Sequence, residues 1–480
     1  MMSKHYRLMV PKAQGSGTLL KVYAPHDGRL LGEVETIDTQ GAEQALATAH
    51  ALFQDRKKWL TAERRLQILN NMVELMTRDA TRLIEIATHE GGKPLIDSRI
   101  EMARAIDGIK LCIQCIRNSH GEEIPMGLNA ASMNHLAVTR REPMGVVLAF
   151  SAFNHPINLI VHQIGPAIAA GCPVIIKPAN DTPMSCYELI TLFREAGLPD
   201  EWCQVVSTTG HDVSEWMASD SRVGFFSFIG SADVGWMLRS RLAPGTRCAL
   251  EHGGVAPVIL ASDADLELAI PLLAKGGFYH AGQVCISVQR IFAHSSVSCS
   301  IATALAAVGE GMVVGDPGAD STDIGPMIRQ TELERVKQWV ESAVEQGAEL
   351  IGGGREISDR HYAPTVLLDP SPDSEVSCRE VFGPVICVYS YDDIDDAIAQ
   401  ANALEFAFQA AIFSSDIDTA LYAYRHLNAS AVMVNEQTAF RVDWMPFAGL
   451  RHSGHGVGGI AHTFAEMQIE KMLVIKSPSL

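Results

Sequence analysis

Three residues of this 480-residue chain stand in settings where their side chains could do chemistry. Cys285 lies in FYHAGQVCISVQR, where Gly276, Gly277 and Gly282 let backbone approach a ligand closely. A thiolate there could attack an electrophilic carbon. Glu251, in CALEHGGVAP, is a carboxylate followed by two glycines at the end of an apolar run, as an exposed strand end would place it. Asn154, in FSAFNHP, carries an amide that could donate to a developing oxyanion. Taken singly, each has a plainer reading: a core cysteine, a solvated carboxylate, an asparagine turn before proline.

Two other motifs carry less. Gly454, Gly456 and Gly459 in GHGVGG match G-x-G-x-x-G. A dinucleotide fingerprint should follow a strand and open a helix inside a βαβ unit, with an acid about 20 residues on. Here MPFAGLRHS precedes it and little chain follows, so a flexible glycine-rich loop is the better reading. Cys112 and Cys115 form an isolated C-x-x-C within a helical pattern. Zinc needs about four ligands and no second pair lies nearby, so we expect two small residues on one helix face and no metal site.

The elements that must position these residues follow from periodicity. Up to about Leu31 the chain reads as short strands with an Asp27-Gly28 turn. From Thr39 to about Ser119 apolar residues recur at helical spacing, with Thr61 as a helix start. From Gly145 the runs GVVLAF, PVIIKP, WCQVV and VGFFSFIG alternate with helical stretches, which implies βαβ units and a mostly parallel, doubly wound sheet. A second such series starts at Ala256, so we expect two α/β domains meeting near Leu250. The final MLVIKS is a short strand that belongs either to its own sheet or to a neighbouring subunit.

Composition narrows the class. Apolar residues make up 47% and charged residues 20%, enough to bury a large core. A formal charge of −18 argues against a nucleic-acid or anionic-membrane binder, since phosphate contacts need clustered Lys and Arg. The ten scattered cysteines suit a reducing compartment. The first residues lack the apolar stretch of a signal peptide, and the most apolar tract is broken by Asn154, Pro156, His162, Pro166 and Pro173. The expectation is a cytoplasmic protein with no membrane and no nucleic-acid partner.

FNHPINL, VIIKPAN, SFIGS, LEHGG, GQVCIS, EVFGPV and MPFAGLRHSG occur in that order, and together they resemble the aldehyde dehydrogenase superfamily across nearly the whole chain. Glu251 and Cys285 stand 34 residues apart, which also matches the family's interval between base and nucleophile. The resemblance implies a variant Rossmann cofactor domain (1–123 and 142–250), a catalytic domain (251–445) and a small β arm for oligomerisation (124–141 and 463–480), in a homodimer or homotetramer. It implies NAD or NADP as cofactor. Lys177 would hold the adenosine ribose, with Ala179, Asn180 and Gly210 nearby. Gly230 and Ser231 would sit beside the pyrophosphate near a helix N-terminus, with Ser151, Phe228 and Val234 around them. Glu380 would bind the nicotinamide ribose, with Phe382 beside the ring. It further implies that Cys285 adds to a small-molecule aldehyde, that the Asn154 amide and the Cys285 backbone N–H hold the oxyanion, and that Glu251 activates the water that releases the acid.

Several positions depart from the commoner family pattern. Asn180 stands where NAD-preferring members often carry a glutamate, which leaves NADP use open. His252 replaces an apolar residue, Phe153 a frequent Trp and Ala448 a usual Gly. At the substrate end the resemblance points to Arg104, His155, Val284, Ile286 and Arg441. Two arginines and a histidine could bind an anionic tail, as in the branch that contains lactaldehyde and phosphonoacetaldehyde dehydrogenases. Val284 weakens the phosphonate version, since those enzymes carry a further arginine there. Surface ion pairs for the arginines and a helix-starting role for His155 are the plainer alternative. Neutral aldehydes, or a retired enzyme kept for binding, are the competing functions.

Overall fold

The computed structural model describes residues 4–480. The N-terminal strands Leu19–Tyr23 and Leu30–Glu35 pair antiparallel across a turn in which the Arg29 N–H donates to Asp27 at 3.0 Å. Four helices follow, Thr39–Gln54, Ala62–Arg78, Ala80–Gly91 and Leu95–Asn118. Thr61 caps the second by accepting from the Arg64 N–H. Asp38 caps the first through the N–H groups of Gln40 and Gly41.

Two α/β sheets form the body. In the first, Val146–Phe150 lies between Val174–Lys177 on one side and Val223–Ile229 on the other, with Arg247–Glu251 beyond, all parallel. The chain winds outward from Val146–Phe150 through Val174–Lys177 to Cys203–Val205 and then crosses back to Val223–Ile229 on the other side, so a crevice opens at the carboxyl ends of these strands. Ser151, Lys177, Gly230 and Glu251 stand at four of those ends. The sheet is closed by Gly454–His455, which runs antiparallel to the Glu251 strand. The glycine-rich GHGVGG run is thus an edge strand and loop, not a fingerprint. Gly458 in that loop lets the chain pass Glu251: a Cβ there would fall 2.2 Å from Glu251 Oε1.

The second sheet has seven strands, with Pro257–Leu260 and Arg290–His294 at its centre and only the edge strand Glu349–Gly352 antiparallel. Strands of both sheets, such as Val146–Phe150 and Gln409–Phe413, are buried along their whole length, as sheets covered on both faces require. Cys112 and Cys115 lie on the helix Leu95–Asn118, the first buried in the core and the second half-buried. No cluster of three or more metal-ligating side chains occurs among the described residues.

The segment 463–480 divides. The helix Ile460–Glu466 belongs to the first core, where Ile460, Phe464 and Met467 are buried. Only from Gln468 does the chain leave, as a strand running to Lys476 that pairs antiparallel with His135–Pro143 of the same chain. MLVIKS lies in this strand and pairs along one edge within its own chain. No helix among the described residues is long and apolar enough to cross a membrane.

Candidate active site

A cavity of about 1100 Å³ runs between the two sheets. It is lined by Cys285, Glu251 and Asn154, by Arg104, His155, Val284, Ile286 and Arg441, and by most of the expected cofactor residues: Ser151, Lys177, Ala179, Phe228, Gly230, Ser231, Val234, Glu380 and Phe382. Asn180 and Gly210 do not reach its wall. Asn180 turns its amide to the Thr208 carbonyl at 3.2 Å, and the neighbours Asp181 and His211 line the cavity instead.

Cys285 is delivered by an unusual turn. After the helix Leu266–Phe278, three successive residues, His280, Ala281 and Gly282, take left-handed backbone angles with φ of 51°, 54° and 68°. Such strain in non-glycine residues persists where the surroundings over-determine it. Packing of Gly282 against the Gly383 carbonyl is so close that a Cβ would lie 2.0 Å away. Burial pushes the Cys285 thiol up to about 12, with Glu380 and Glu251 adding to the effect. The resting group is therefore a protonated thiol with a base nearby. Burial also lifts Glu251 to about 7, against the pull of Arg441 and with a push from Glu466. A carboxylate so placed exchanges protons near neutrality.

Asn154 is buried and its Nδ2 donates to the Gln283 carbonyl at 2.9 Å, which fixes the amide plane beside the cysteine loop. Beneath it lies a pair that the sequence did not single out. Lys93, wholly buried, is ion-paired with Glu101 and donates to the Asn154 carbonyl at 3.2 Å. Glu101 accepts from the N–H groups of Ile157 and Asn158 at 2.8 and 2.9 Å. This closed network holds the loop that presents the Asn154 amide. A lysine after two glycines (GGKP) and a glutamate eight residues later gave no signal, because only folding brings them to the 154–158 loop.

The cofactor end fits a dinucleotide. The Lys177 ammonium makes no hydrogen bond or ion pair among the described residues, and burial draws it down to about 8. It therefore lacks an acceptor that ribose hydroxyls could supply. Glu380 has a buried Oε1 with no partner, and burial lifts the group to about 8. Gly253 allows it in, since a Cβ there would lie 1.5 Å from that oxygen. Ser231 caps the helix Ala232–Arg239 without a side-chain bond, leaving its first N–H groups for an anion. Phe382 meets Phe153 edge-on at 5.9 Å. His252 holds its Nδ1 3.1 Å from the Gly230 carbonyl, between the rings of Phe228 and Trp236. Its ring occupies the space that a side chain at Gly235 would need.

The family model described as "Aldehyde dehydrogenase family" matches residues 11–473. The chain belongs to the aldehyde dehydrogenase family. It is 37% identical over 443 residues to the 3-sulfolactaldehyde dehydrogenase of Priestia aryabhattai, covering 92% of each chain. Among solved structures, aldehyde dehydrogenase 21 from Physcomitrella patens, in complex with the reaction product succinate, superposes with a TM-score of 0.94 at 29% identity, over 99% of each chain. The glyceraldehyde-3-phosphate dehydrogenase GapN from Methanocaldococcus jannaschii, complexed with NADP, gives 0.91 at 32% identity, covering 95% of this chain and 99% of that one. This aldehyde dehydrogenase is thus an NAD(P)-dependent oxidoreductase with the fold expected of the family.

The substrate end of its cavity separates two arginines that look alike in sequence. Arg104 is paired through two hydrogen bonds with Asp443, at 3.0 and 2.7 Å. Arg441 donates from Nη1 to the Met445 and Pro446 carbonyls, lies 4.3 Å over the Phe447 ring, and has a buried Nη2 with no acceptor. Burial pulls its charge affinity down to about 10, and Glu251 and Asp443 oppose this. His155 is held neutral, well below the usual histidine range, by burial and by Lys93 and Arg104. Tyr279, another residue that the sequence reading passed over, lines the cavity six positions before the cysteine.

Proposed function

We propose that this enzyme oxidises a small aldehyde with an anionic or strongly polar tail to the carboxylic acid, with Cys285 as nucleophile, Asn154 as oxyanion donor and Glu251 as base. The observation that carries the tail is Arg441. Arg441 lines the same cavity as Cys285 and makes no ion pair among the described residues, so its charge is open to a substrate anion. The Priestia aryabhattai relative is named for an aldehyde that bears a sulfonate, and the Physcomitrella patens structure holds succinate, which supports the same reading.

Chemically, Glu251 takes the thiol proton and Cys285 sulfur bonds to the aldehyde carbon. The carbonyl oxygen becomes an oxyanion, which the Asn154 amide and the Cys285 backbone N–H stabilise. Lys177, Glu380 and the helix N-terminus after Ser231 would hold NAD(P)+, which would supply the hydride acceptor needed to oxidise the Cys285 adduct to a thioester. Glu251, having released its first proton, removes one from water as the water attacks the thioester carbon, and the Cys285 sulfur leaves.

Assembly and setting belong to the same proposal. The strand Gln468–Lys476 exposes Met472, Leu473, Val474 and Ile475 and has one unpaired edge, which supports a homodimer or homotetramer built through this arm. The ten cysteines are all free, which supports a reducing, cytoplasmic setting. The deciding assay is initial-rate cofactor reduction, with NAD and with NADP, on sulfoacetaldehyde, succinate semialdehyde and lactaldehyde against propanal and benzaldehyde. An advantage of about tenfold in kcat/KM for the charged aldehydes, about 1.4 kcal/mol, is expected. Equal or faster oxidation of neutral aldehydes refutes the anionic tail and leaves the catalytic roles standing.

A further inference from the structure

Of the two arginines at the substrate end, only one has a charge to spare. Arg104 meets Asp443 in a fork, Nε to Oδ2 at 3.0 Å and Nη2 to Oδ1 at 2.7 Å. The same carboxylate accepts from Asn158 Nδ2 at 3.2 Å and from the His162 ring at 2.8 Å. Burial alone would raise the Asp443 carboxyl, but the bonds from His162 and Arg104 hold it well below the usual range, so it stays ionised. The other charged groups nearby are likewise committed: Lys93 to Glu101, and Lys275 to Asp97 at 3.4 Å. His155 and His162 are kept neutral by burial. Glu251 lies in the field of Arg441 without a hydrogen bond to it. Among the described residues at this end of the cavity, Arg441 is the cation left uncommitted.

We propose that Asp443 sets the charge class of the substrate: the cavity takes aldehydes whose tail carries one negative charge, a sulfonate or a carboxylate, and turns away tails that carry two, such as a phosphate or phosphonate. This rests on the reading of the enzyme as acting on anionic aldehydes. A single buried guanidinium balances one charge, and a second charge taken out of water with no partner is heavily penalised. Arg104 would be that partner, and Asp443 withholds it. Asp443 is thus a specificity-positioning residue that acts through Arg104.

Sulfoacetaldehyde and phosphonoacetaldehyde make a matched pair, with the same skeleton and a three-oxygen head. They differ by one charge at about pH 8, above the second ionisation of a phosphoryl head. The holoenzyme should oxidise the sulfonate with a kcat/KM at least about tenfold higher. Asp443→Asn should free Arg104 and shrink that ratio by about tenfold or more. Lowering the pH through about 6, where the phosphonate returns to a single charge, should shrink the parent enzyme's sulfonate-to-phosphonate ratio by about fivefold or more. The proposal is overturned if the parent enzyme uses the phosphonate as well as the sulfonate, or if a folded Asp443→Asn enzyme keeps the parent ratio. It is equally overturned if the parent ratio stays flat across that pH range, and this measurement decides should Asp443→Asn not fold. Propanal outrunning both anions in the parent enzyme would instead sink the anionic-aldehyde reading beneath it.

Discussion

Replacing Arg441 by methionine removes the uncommitted cation of the substrate end while keeping a long apolar stem against Phe447, whose ring the guanidinium covers at 4.3 Å. A hydrogen bond to a charged partner contributes about 1.5–3 kcal/mol, so kcat/KM for an anionic aldehyde should fall about 10- to 150-fold. The substitution also deletes the Nη1 bonds to the Met445 and Pro446 carbonyls, which loosens the loop for every substrate alike. A matched neutral aldehyde reports that common loss, so the ratio of the two falls isolates the anion contact. Glu251 enters as a second effect. Arg441 pulls its carboxyl down, and without that pull the group should titrate above its present value of about 7. The comparison therefore belongs on the alkaline plateau, where Glu251 is ionised in both proteins. Steady-state kinetics with succinate semialdehyde and propanal provide the assay. Equal losses on both would remove Arg441 from the substrate contact and leave it a loop anchor.

The remaining predictions concern the chemistry and its support. With Glu251 as a base lifted to about 7, kcat should rise with pH through that value as the carboxylate ionises; Glu251→Gln should erase this limb and slow both thiol activation and deacylation, and a profile that keeps the limb would exclude Glu251 as its source. Asn154→Ala should lower kcat by about 10²–10³, the loss of one oxyanion donor; a change under about threefold would exclude the amide from the transition state. Lys93→Met strands a buried Glu101 and should cost about 3–5 kcal/mol in denaturant unfolding, with a smaller loss when Glu101→Gln accompanies it.

Much of this was legible in the chain itself. Alternating apolar runs give parallel strands because a strand covered on both faces must be apolar along its length, and Val146–Phe150 and the first three residues of Val174–Lys177 read that way. Parallel strands with crossovers then force a crevice at their carboxyl ends, which is where Lys177, Gly230 and Glu251 stand. The Asp27-Gly28 turn and the Thr61 cap are local, decided by bonds that reach two or three residues, and they formed as their sequence suggests. The edge of the terminal arm was less legible. The helix Ile460–Glu466 joins the first core because Ile460 and Phe464 find helix partners far away in sequence.

The sequence by itself determined which side chains can act: a cysteine, a carboxylate and an amide set among glycines at strand ends, in a chain whose composition supports two covered sheets. It could not determine the charge state in which they act. Arg104 and Arg441 are equivalent in type, yet Asp443, 339 residues from Arg104, neutralises one and spares the other. The raised carboxyl of Glu251 and the protonated thiol of Cys285 likewise arise from burial. Proton affinity and ion pairing depend on the dielectric and on neighbours a few ångströms away, and those neighbours exist only once the two sheets have closed on one another.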